Sequence, residues 1–276
     1  MRSSLEIYNL NSKTTRIVHQ TDSLIAAPNW GRDGKLLLFN GDGQLFFVPI
    51  NGGGKPVQIN TGFAAKCNND HGISPDGTQI VISDGTISGQ STIYILPTAG
   101  GTPKQVTANN PSYWHGWSPD GKTLAFCGQR EGKFDIYTIP VSGGKESRLT
   151  HGEGHNDGPD YSADGTWIYF NSSRSGRNQI WRIHPDGTGV EQITNDGHAD
   201  LFPHPSPDGK NVLLLSYDSD VEGHPRDKQV KLRRMSPDGS GIHTLLSFFG
   251  GQGSINVPNW SPDGSEFAFV RYALVV

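Results

Sequence analysis

The dipeptide Asp-Gly recurs at nearly constant intervals along this chain, and that periodicity restricts the fold more than any other feature. Six of the twelve Asp-Gly pairs form this periodic set; they stand in the contexts GRDG, SPDG, SPDG, SADG, SPDG and SPDG and end at Gly34, Gly77, Gly121, Gly165, Gly209 and Gly264. The first four spacings are 43 or 44 residues, and the fifth is 55. A unit of roughly 40–45 residues is typical of one blade of a β-propeller.

Each repeat contains four short segments that favour β-strands. In the third repeat these are YWHGW, KTLAFCG, FDIYTIPV and SRLT, which we label A to D in chain order. They are rich in β-branched and aromatic residues and are separated by Gly-bearing turns, as expected for strands. No apolar set recurs with helical spacing. The sequence therefore predicts four antiparallel strands per repeat.

The SPDG motif itself is interpreted as a turn and not as a catalytic serine. Pro presets the backbone of a type I turn, Asp accepts hydrogen bonds from nearby backbone, and Gly adopts the left-handed conformation. Asp-Gly persists in the copies that lack Ser or Pro. A further SPDG at Ser236–Gly239 is out of phase and aligns with the turns between segments C and D, so it does not mark a seventh blade.

The two ends of the chain supply complementary parts of one repeat. The C-terminal stretches VPNW and EFAFVRY correspond to segments A and B, and the N-terminal stretches SLEIYNL and TTRIVHQ correspond to C and D. Their pairing would leave no open sheet edge at the seam. We therefore predict an all-β fold: one six-bladed β-propeller over residues 1–276, closed by pairing of N-terminal C and D strands with C-terminal A and B strands.

The stretches WSPDG, DIYTIPVSGG and SRLT resemble the WD-like propeller repeats of the TolB family over nearly the whole chain. The resemblance implies a six-bladed propeller with a binding role. TolB proteins also have an N-terminal α/β domain that recruits partners of the Tol–Pal system, and we expect no such domain here because six blades fill the 276 residues. Similar repeats occur in prolyl oligopeptidase-like peptidases and in oligogalacturonate lyase, a seven-bladed propeller with a His-bound metal.

Composition argues against several classes of protein. The net charge of -4, with no block of basic residues, makes nucleic acid an unsuitable partner. No segment approaches the ~20 apolar residues of a membrane helix. The N-terminal sequence MRSSLEIYNL lacks the features of a secretory signal, which favours a cytoplasmic location, or a periplasmic one if a leader has been removed. We expect a monomer.

The two ends of the predicted propeller differ in character. The A–B and C–D turns lie at one end, which we call the turn end. The D–A and B–C connections form the opposite end, which we call the mouth. Mouth connections vary in length and composition, and variable loops commonly carry function. The fifth repeat has an 11-residue insertion in its B–C connection, YDSDVEGHPRDKQ, which contains His224 and Arg226. Other B–C connections contain Arg130, Arg174 and Arg177.

Five of the ten histidines stand at or just before segment A, the innermost strand of a propeller blade. They are His71, His115, His155, His198 and His204, with Asp70 and Asp157 close by. Such a cluster can hold a divalent metal through neutral imidazole. It can also bind a ligand or partner without metal, or line a solvated channel. No fixed motif such as H-E-x-x-H decides among these alternatives, and the sequence identifies no cofactor.

The interpretation favoured by the sequence is a binding module whose mouth docks a protein or peptide partner, or a small anionic ligand. Arginine suits carboxylates and phosphates, which motivates the anionic ligand. The alternative is a metal-dependent lyase or hydrolase acting on an anionic carbohydrate, as a resemblance to oligogalacturonate lyase implies. No catalytic residue is identified, since motifs such as G-x-S-x-G are absent from the chain.

Overall fold

The computed structural model describes residues 1–274, so the last two residues of the predicted domain lie outside it. Within this range, twenty strands form five four-stranded antiparallel sheets in chain order. The bounds of the first and second sheets are β3 Ile25–Trp30, β4 Leu36–Gly41, β5 Gln44–Pro49, β6 Val57–Gln58, β7 Cys67–Ile73, β8 Gln79–Asp84, β9 Thr92–Pro97 and β10 Lys104–Gln105.

The third to fifth sheets repeat this order of one innermost strand, two central strands and one outer strand. Their bounds are β11 Ser112–Trp117, β12 Thr123–Arg130, β13 Lys133–Pro140, β14 Ser147–Arg148, β15 Asn156–Tyr161, β16 Ile168–Ser172, β17 Gln179–Ile183, β18 Glu191–Gln192, β19 His198–Pro205, β20 Val212–Asp218, β21 Lys228–Met235 and β22 His243–Gly250. Each sheet is one blade, numbered first to fifth in chain order.

The sixth blade joins the two ends of the chain, as predicted. It contains β1 (Arg2–Asn9), β2 (Thr14–Thr21) and β23 (Glu266–Ala273) in the order β2–β1–β23. The β1–β23 ladder runs from Arg2 opposite Ala273 to Asn9 opposite Glu266. The innermost segment of this blade is reduced to a bridge between Trp260 and Phe267, preceded by a 3₁₀ helix at Gln252–Ser254. The six-bladed propeller is therefore confirmed.

The Asp-Gly turns have the predicted hydrogen-bond chemistry. The Ser118 hydroxyl donates to Asp120 Oδ1 at 2.7 Å, and that oxygen also accepts the Lys122 N–H at 3.1 Å. Gly121 has φ 70°, which favours glycine. The serine is thus part of the turn. The out-of-phase SPDG at Ser236–Gly239 lies between β21 and β22, where a C–D turn was predicted.

The innermost strand of each of the first five blades contains a register irregularity near the channel. In β11 the irregularity falls between Trp114 and Gly116, and in β15 between Asp157 and Asp160. A bulge adds a residue that is unpaired with the neighbouring strand and redirects side chains. These irregularities decide which side chains point into the channel.

Apolar side chains fill the space within and between neighbouring blades. The aromatic residues that precede the turns are all buried and pack in this core: Trp30, Trp117, Tyr161 and Trp260. The helical content of the described range is a single three-residue 3₁₀ helix. No helix in residues 1–274 is therefore long or apolar enough to cross a membrane.

Candidate functional site

Residues from five blades meet around a cavity of about 210 Å³ at the mouth, which we call the mouth recess. Innermost strands of the second, third and fourth blades contribute Asp70, His115 and Asp157. The insertion between β20 and β21 contributes His224. The complete lining is Asp70, Tyr113, His115, Cys127, Phe134, His155, Asp157, His224 and Gln252.

His115 connects the carboxylates of the recess to the sixth blade. Its Nδ1 lies 3.2 Å from the Asn256 carbonyl oxygen, and its Nε2 lies 3.3 Å from Asp157 Oδ1 and 3.9 Å from Asp70 Oδ1. A carbonyl or ionised carboxylate oxygen only accepts hydrogen bonds. The ring therefore hydrogen-bonds on both sides when both of its nitrogens carry a proton, as an imidazolium. Burial opposes that charge, but the hydrogen bond and negative charge of Asp157, with the charge of Asp70, outweigh it and raise the pKa of His115.

The two buried carboxyls of the recess differ in their ionisation. Burial raises the pKa of Asp70 to about 6, although the nearby His115 charge opposes this. Burial also disfavours ionised Asp157, but the hydrogen bond from His115 and the charges of His115, His224 and His155 outweigh it and lower the pKa of Asp157. Asp157 is therefore ionised throughout the neutral range, and Asp70 changes charge just below it.

Three side chains of the recess present potential metal-ligand atoms to one another. Suitable atoms of His155, Asp157 and His224 all lie within 4.8 Å of each other. The Asp157 Oδ1 atom accepts the Gly158 N–H at 2.8 Å, while Oδ2 lies 3.7 Å from His224 Nε2. This arrangement leaves Oδ2 directed toward the insertion loop.

Aromatic rings support the imidazoles of the recess. The Phe134 ring lies 4.6 Å from the His155 ring, measured between centroids. The Phe202 ring lies 6.1 Å from that of His115 and 5.7 Å from that of His224. Apolar walls reduce the local dielectric and strengthen charge interactions inside the cavity.

Of the predicted channel histidines, the structure brings His115 and His155 to the recess and places the other three elsewhere. His71 lies in β7 opposite Ile82, fully buried, and burial lowers its pKa to about 3. His204 joins Asp160 Oδ2 at 3.1 Å to the Ile255 carbonyl oxygen at 2.6 Å, which is a cross-link between blades. His198 lies 3.3 Å from Asp196 Oδ1 and 3.0 Å from Lys231 Nζ, in a separate polar network.

The arginines of the predicted mouth loops lie outside the lining of the recess. Arg130 donates to both carboxylate oxygens of Glu146, at 3.1 and 2.8 Å. Arg174 lies 3.4 Å from Glu153 and stacks over Trp181, whereas Arg177 is exposed. Arg226 pairs with its neighbour Asp227 at 3.1 Å. The prediction of a small anionic ligand therefore has no support from the charges of this cavity.

Four lining residues were not identified as site residues from the sequence, namely Tyr113, Cys127, Phe134 and Gln252. Tyr113 stands two residues before His115 in β11, and the period of a strand could have pointed to it. Phe134 and Gln252 belong to positions that differ from repeat to repeat, so no sequence signal marks them. The sequence predicted His224 as a residue of a mouth loop. In the structure it also lines the recess, because the loop folds back over Asp157.

The turn end has a second cavity, of about 230 Å³, with a different lining. It contains the turn prolines Pro75, Pro119 and Pro207 together with Arg32. Arg32 occupies the proline position of the first turn and donates to the carbonyl oxygens of Ile73 and Ser74, both at 3.1 Å. The guanidinium is thus committed to backbone acceptors of the next blade.

Comparison with known families agrees with this architecture. The family described as PD40, TolB beta propeller domain, matches residues 88–222. A solved structure from Agrobacterium tumefaciens, provisionally assigned to TolB, is 57% identical, covers 100% of this chain and 99% of its own, and has a TM-score of 0.98. An uncharacterised Agrobacterium fabrum protein is also 57% identical, over 99% of this chain and 93% of its own length.

More distant relatives support the fold, but their functions cannot be assigned to this chain. The Tol-Pal system protein TolB of Francisella tularensis is 30% identical over 89% of this chain, which spans 56% of that protein. An oligogalacturonate lyase solved with manganese is 16% identical, with a TM-score of 0.58 over 95% of this chain and 70% of its own, and this likeness shows the fold alone. The repeats, the closed ring and these relatives together show that the chain belongs to the TolB-like β-propeller family.

Proposed function

We propose that this protein is a binding module that docks a protein or peptide segment over its mouth and receives a positively charged side chain of that partner in the mouth recess. One observation carries the proposal. Two buried carboxyls, Asp70 and Asp157, line a cavity of about 210 Å³ to which five blades contribute. A single concave site with a few converging polar groups is the usual form of a binding pocket.

The charges of the recess favour a cation. At neutral pH the Asp157 carboxylate is ionised, and Asp70, whose pKa is about 6, is largely ionised as well. The imidazolium of His115 offsets one of these two negative charges, and His155 and His224 in their neutral forms leave the other uncompensated. An entering ammonium or guanidinium group would meet Asp157 Oδ2, and the rings of Tyr113 and Phe134 line the same cavity. Aromatic faces add to the attraction for a cation.

The size and position of the recess suit one anchor side chain of a larger partner. Interfaces commonly rely on a few central residues that enter well-packed pockets, surrounded by weaker contacts. The insertion loop at residues 219–227 forms part of the rim and carries exposed polar side chains that could make such surrounding contacts. Membership of the TolB-like family is consistent with this role. The chain spans about half the length of the Francisella TolB proteins, so their Tol–Pal activity is not assigned to it.

Selection from a random peptide display library on the full-length protein tests the proposal. Selected peptides should contain Lys or Arg, and calorimetry should show that Asp157→Asn weakens their binding about 30-fold or more, since roughly 2 kcal/mol is lost when a buried charge loses its partner. The matched control is Lys122→Ala, an exposed position at the turn end, which should bind normally. Peptides that bind Asp157→Asn and the wild-type protein equally would contradict the proposal.

The lyase alternative is favoured by one observation, the proximity of His155, Asp157 and His224. Its weakness is that Arg130 and Arg174, which would have bound an acidic sugar, are paired with Glu146 and Glu153. The test is incubation of the protein and Mn²⁺ with oligogalacturonate. A lyase would generate a conjugated carbon–carbon double bond that absorbs ultraviolet light, and we expect no such product.

A further inference from the structure

His155 and Asp157 of the fourth blade meet His224 of the neighbouring fifth blade at one side of the mouth recess. His155 immediately precedes β15, and Asp157 is the second residue of that strand. His224 belongs to the 11-residue insertion, which returns to the channel instead of extending into solvent. One potential ligand atom from each residue lies within 4.8 Å of the other two.

Neighbouring groups hold two of these three side chains, those of Asp157 and His155, in place. Asp157 Oδ1 is fixed by the Gly158 N–H at 2.8 Å and by His115 Nε2 at 3.3 Å. The His155 backbone N–H donates to Ser173 Oγ at 2.8 Å, and its ring packs on Phe134. Metal ligands typically have such outer partners, which orient them and leave one donor atom free. Here the free atom is Asp157 Oδ2, on the side that faces His224.

We infer that His155, Asp157 and His224 form a binding site for one divalent transition-metal ion, with His115 as the positioning residue that orients Asp157. Two imidazoles and one carboxylate suit Zn²⁺, Co²⁺ or Ni²⁺ better than Mg²⁺ or Ca²⁺, which prefer oxygen ligands. Three protein ligands leave a further position, toward the cavity, for water or an external ligand.

The distances are compatible with this assignment after a small adjustment. Tetrahedral ligands at about 2.1 Å from an ion lie roughly 3.4 Å from one another. Atoms within 4.8 Å therefore need to approach by on the order of 1 Å. His224 lies within the long insertion loop, whereas His155 immediately precedes β15 and Asp157 lies in that strand. The shift can be taken up in the insertion loop without disturbing β15.

The inference goes beyond the proposed docking function, although both use Asp157. An ion needs no partner in order to bind, and a peptide needs no ion. A metal titration of the protein alone therefore leaves the docking proposal untouched if it fails. In the same way, failure of peptide selection on metal-free protein would not contradict the proposed metal site.

The experiment is a titration of the tag-free full-length protein with Co²⁺, followed by visible absorption, and with Zn²⁺, followed by calorimetry. We expect one ion per chain and the ligand-field bands of a nitrogen- and oxygen-coordinated Co²⁺ ion. His224→Ala and Asp157→Asn should each weaken binding by about 100-fold or more, and His115→Gln by about 10-fold, as for loss of an outer partner. His224→Ala is a loop substitution, so its folding is not in question.

The matched control is His243→Ala, which removes an exposed histidine of β22 and should leave Co²⁺ binding unchanged. Two results would overturn the inference. One is the absence of stoichiometric binding at millimolar Co²⁺. The other is binding that His224→Ala and His243→Ala affect equally, because that would indicate scattered surface histidines.

Discussion

The same repeats build the turn end and the mouth of the channel. They keep the same side-chain hydrogen bonds at the turn end but make different contacts at the mouth. At the turn end, five copies of the same serine-to-aspartate hydrogen bond occur at 2.6 or 2.7 Å. At the mouth, His115 pairs with Asp157, whereas His71, at the equivalent place in its repeat, has no hydrogen-bond partner within the described residues. Uniformity at one end and divergence at the other separate the residues that build the fold from those available for binding.

The two cavities of the channel also differ, in whether their charged groups are already hydrogen-bonded to backbone. The turn-end cavity contains Arg32, whose charged group is engaged by backbone carbonyls. The mouth recess contains Asp157, whose Oδ2 atom faces the insertion loop. A charged group already satisfied by backbone mainly stabilises the structure, whereas one with a free donor or acceptor atom can attract a ligand. Substitutions at the two ends should therefore affect different measurements.

The largest effect is expected at His204, which ties the two ends together. Its ring joins Asp160, in the turn-end cavity lining, to the Ile255 carbonyl group of the sixth blade. His204→Ala should lower the free energy of unfolding by about 3 kcal/mol, because it leaves a buried carboxyl unpartnered. Urea denaturation followed by tryptophan fluorescence measures the change. His243→Ala is the control, with about 0.5 kcal/mol or less, and a similar loss in both variants would contradict the cross-link.

The second prediction contrasts His71 with His115. The pKa of His71 is about 3 in the folded protein, below its unfolded value near 6.5. As the pH falls below 6.5, the unfolded chain gains a proton that folded His71 does not. The free energy of unfolding therefore decreases by up to about 1.4 kcal/mol per pH unit from this group, until the pH approaches 3.

The measurement for His71 is the slope of unfolding free energy against pH, compared between the wild-type protein and His71→Leu. The variant should lose less stability between pH 6.5 and 5. Asp70 acts in the opposite direction, because its raised pKa means that the folded state takes up its proton first as the pH falls through 6. This contribution is common to both proteins, so equal slopes would show that His71 is protonated in the folded state.

A third prediction separates two arginines of one mouth loop. Arg174 stacks over Trp181 and donates to Asn156 Oδ1 at 3.1 Å, whereas Arg177 is exposed. Arg174→Ala should reduce the free energy of unfolding by about 1–2 kcal/mol through lost stacking and hydrogen bonding, and Arg177→Ala by about 0.5 kcal/mol or less. Neither should alter binding in the recess. If Arg177→Ala weakened peptide binding tenfold, the docking surface would have to extend across this loop.

The smallest effect is expected at the turn end. Gly209 has φ 70°, and a Cβ added there would meet no atom within 4 Å. Gly209→Ala should therefore cost only backbone strain, about 1 kcal/mol of unfolding free energy. Co²⁺ and peptide affinities should stay as in the wild type. A change in either affinity would show that the two ends are coupled, and the division between them would fail.

The fold was predictable because turn chemistry repeats in the sequence, while the site depends on features that do not repeat. His71 and His115 both stand six residues before a turn glycine, and the sequence treats them alike. In the structure His71 is paired opposite Ile82, whereas His115 falls between two paired residues of β11 and enters the channel. Strand period alone does not indicate where a bulge will occur.

The contact of His224 with Asp157 was not predictable for a different reason. The insertion was located correctly from the spacing of the repeats, but its path depends on side-chain contacts within its own blade and with Asp157 of the fourth blade. Phe202, in the innermost strand of the fifth blade, lies between the His115 and His224 rings. Such contacts join residues of different repeats, and a periodic pattern contains no information about them.

The ladder between β1 and β23 has a consequence for how the protein acquires its structure. Leu5 and Ile7 are fully covered only when β23 is in place, although β1 is synthesised long before it. Contacts between residues so distant in the chain form slowly, because the intervening chain must first be brought together. The edge of β1 that pairs with β23 must therefore stay accessible until β23 has been synthesised. A chaperone that shields β1 would be expected to influence the yield of folded protein more than one that acts on any other strand.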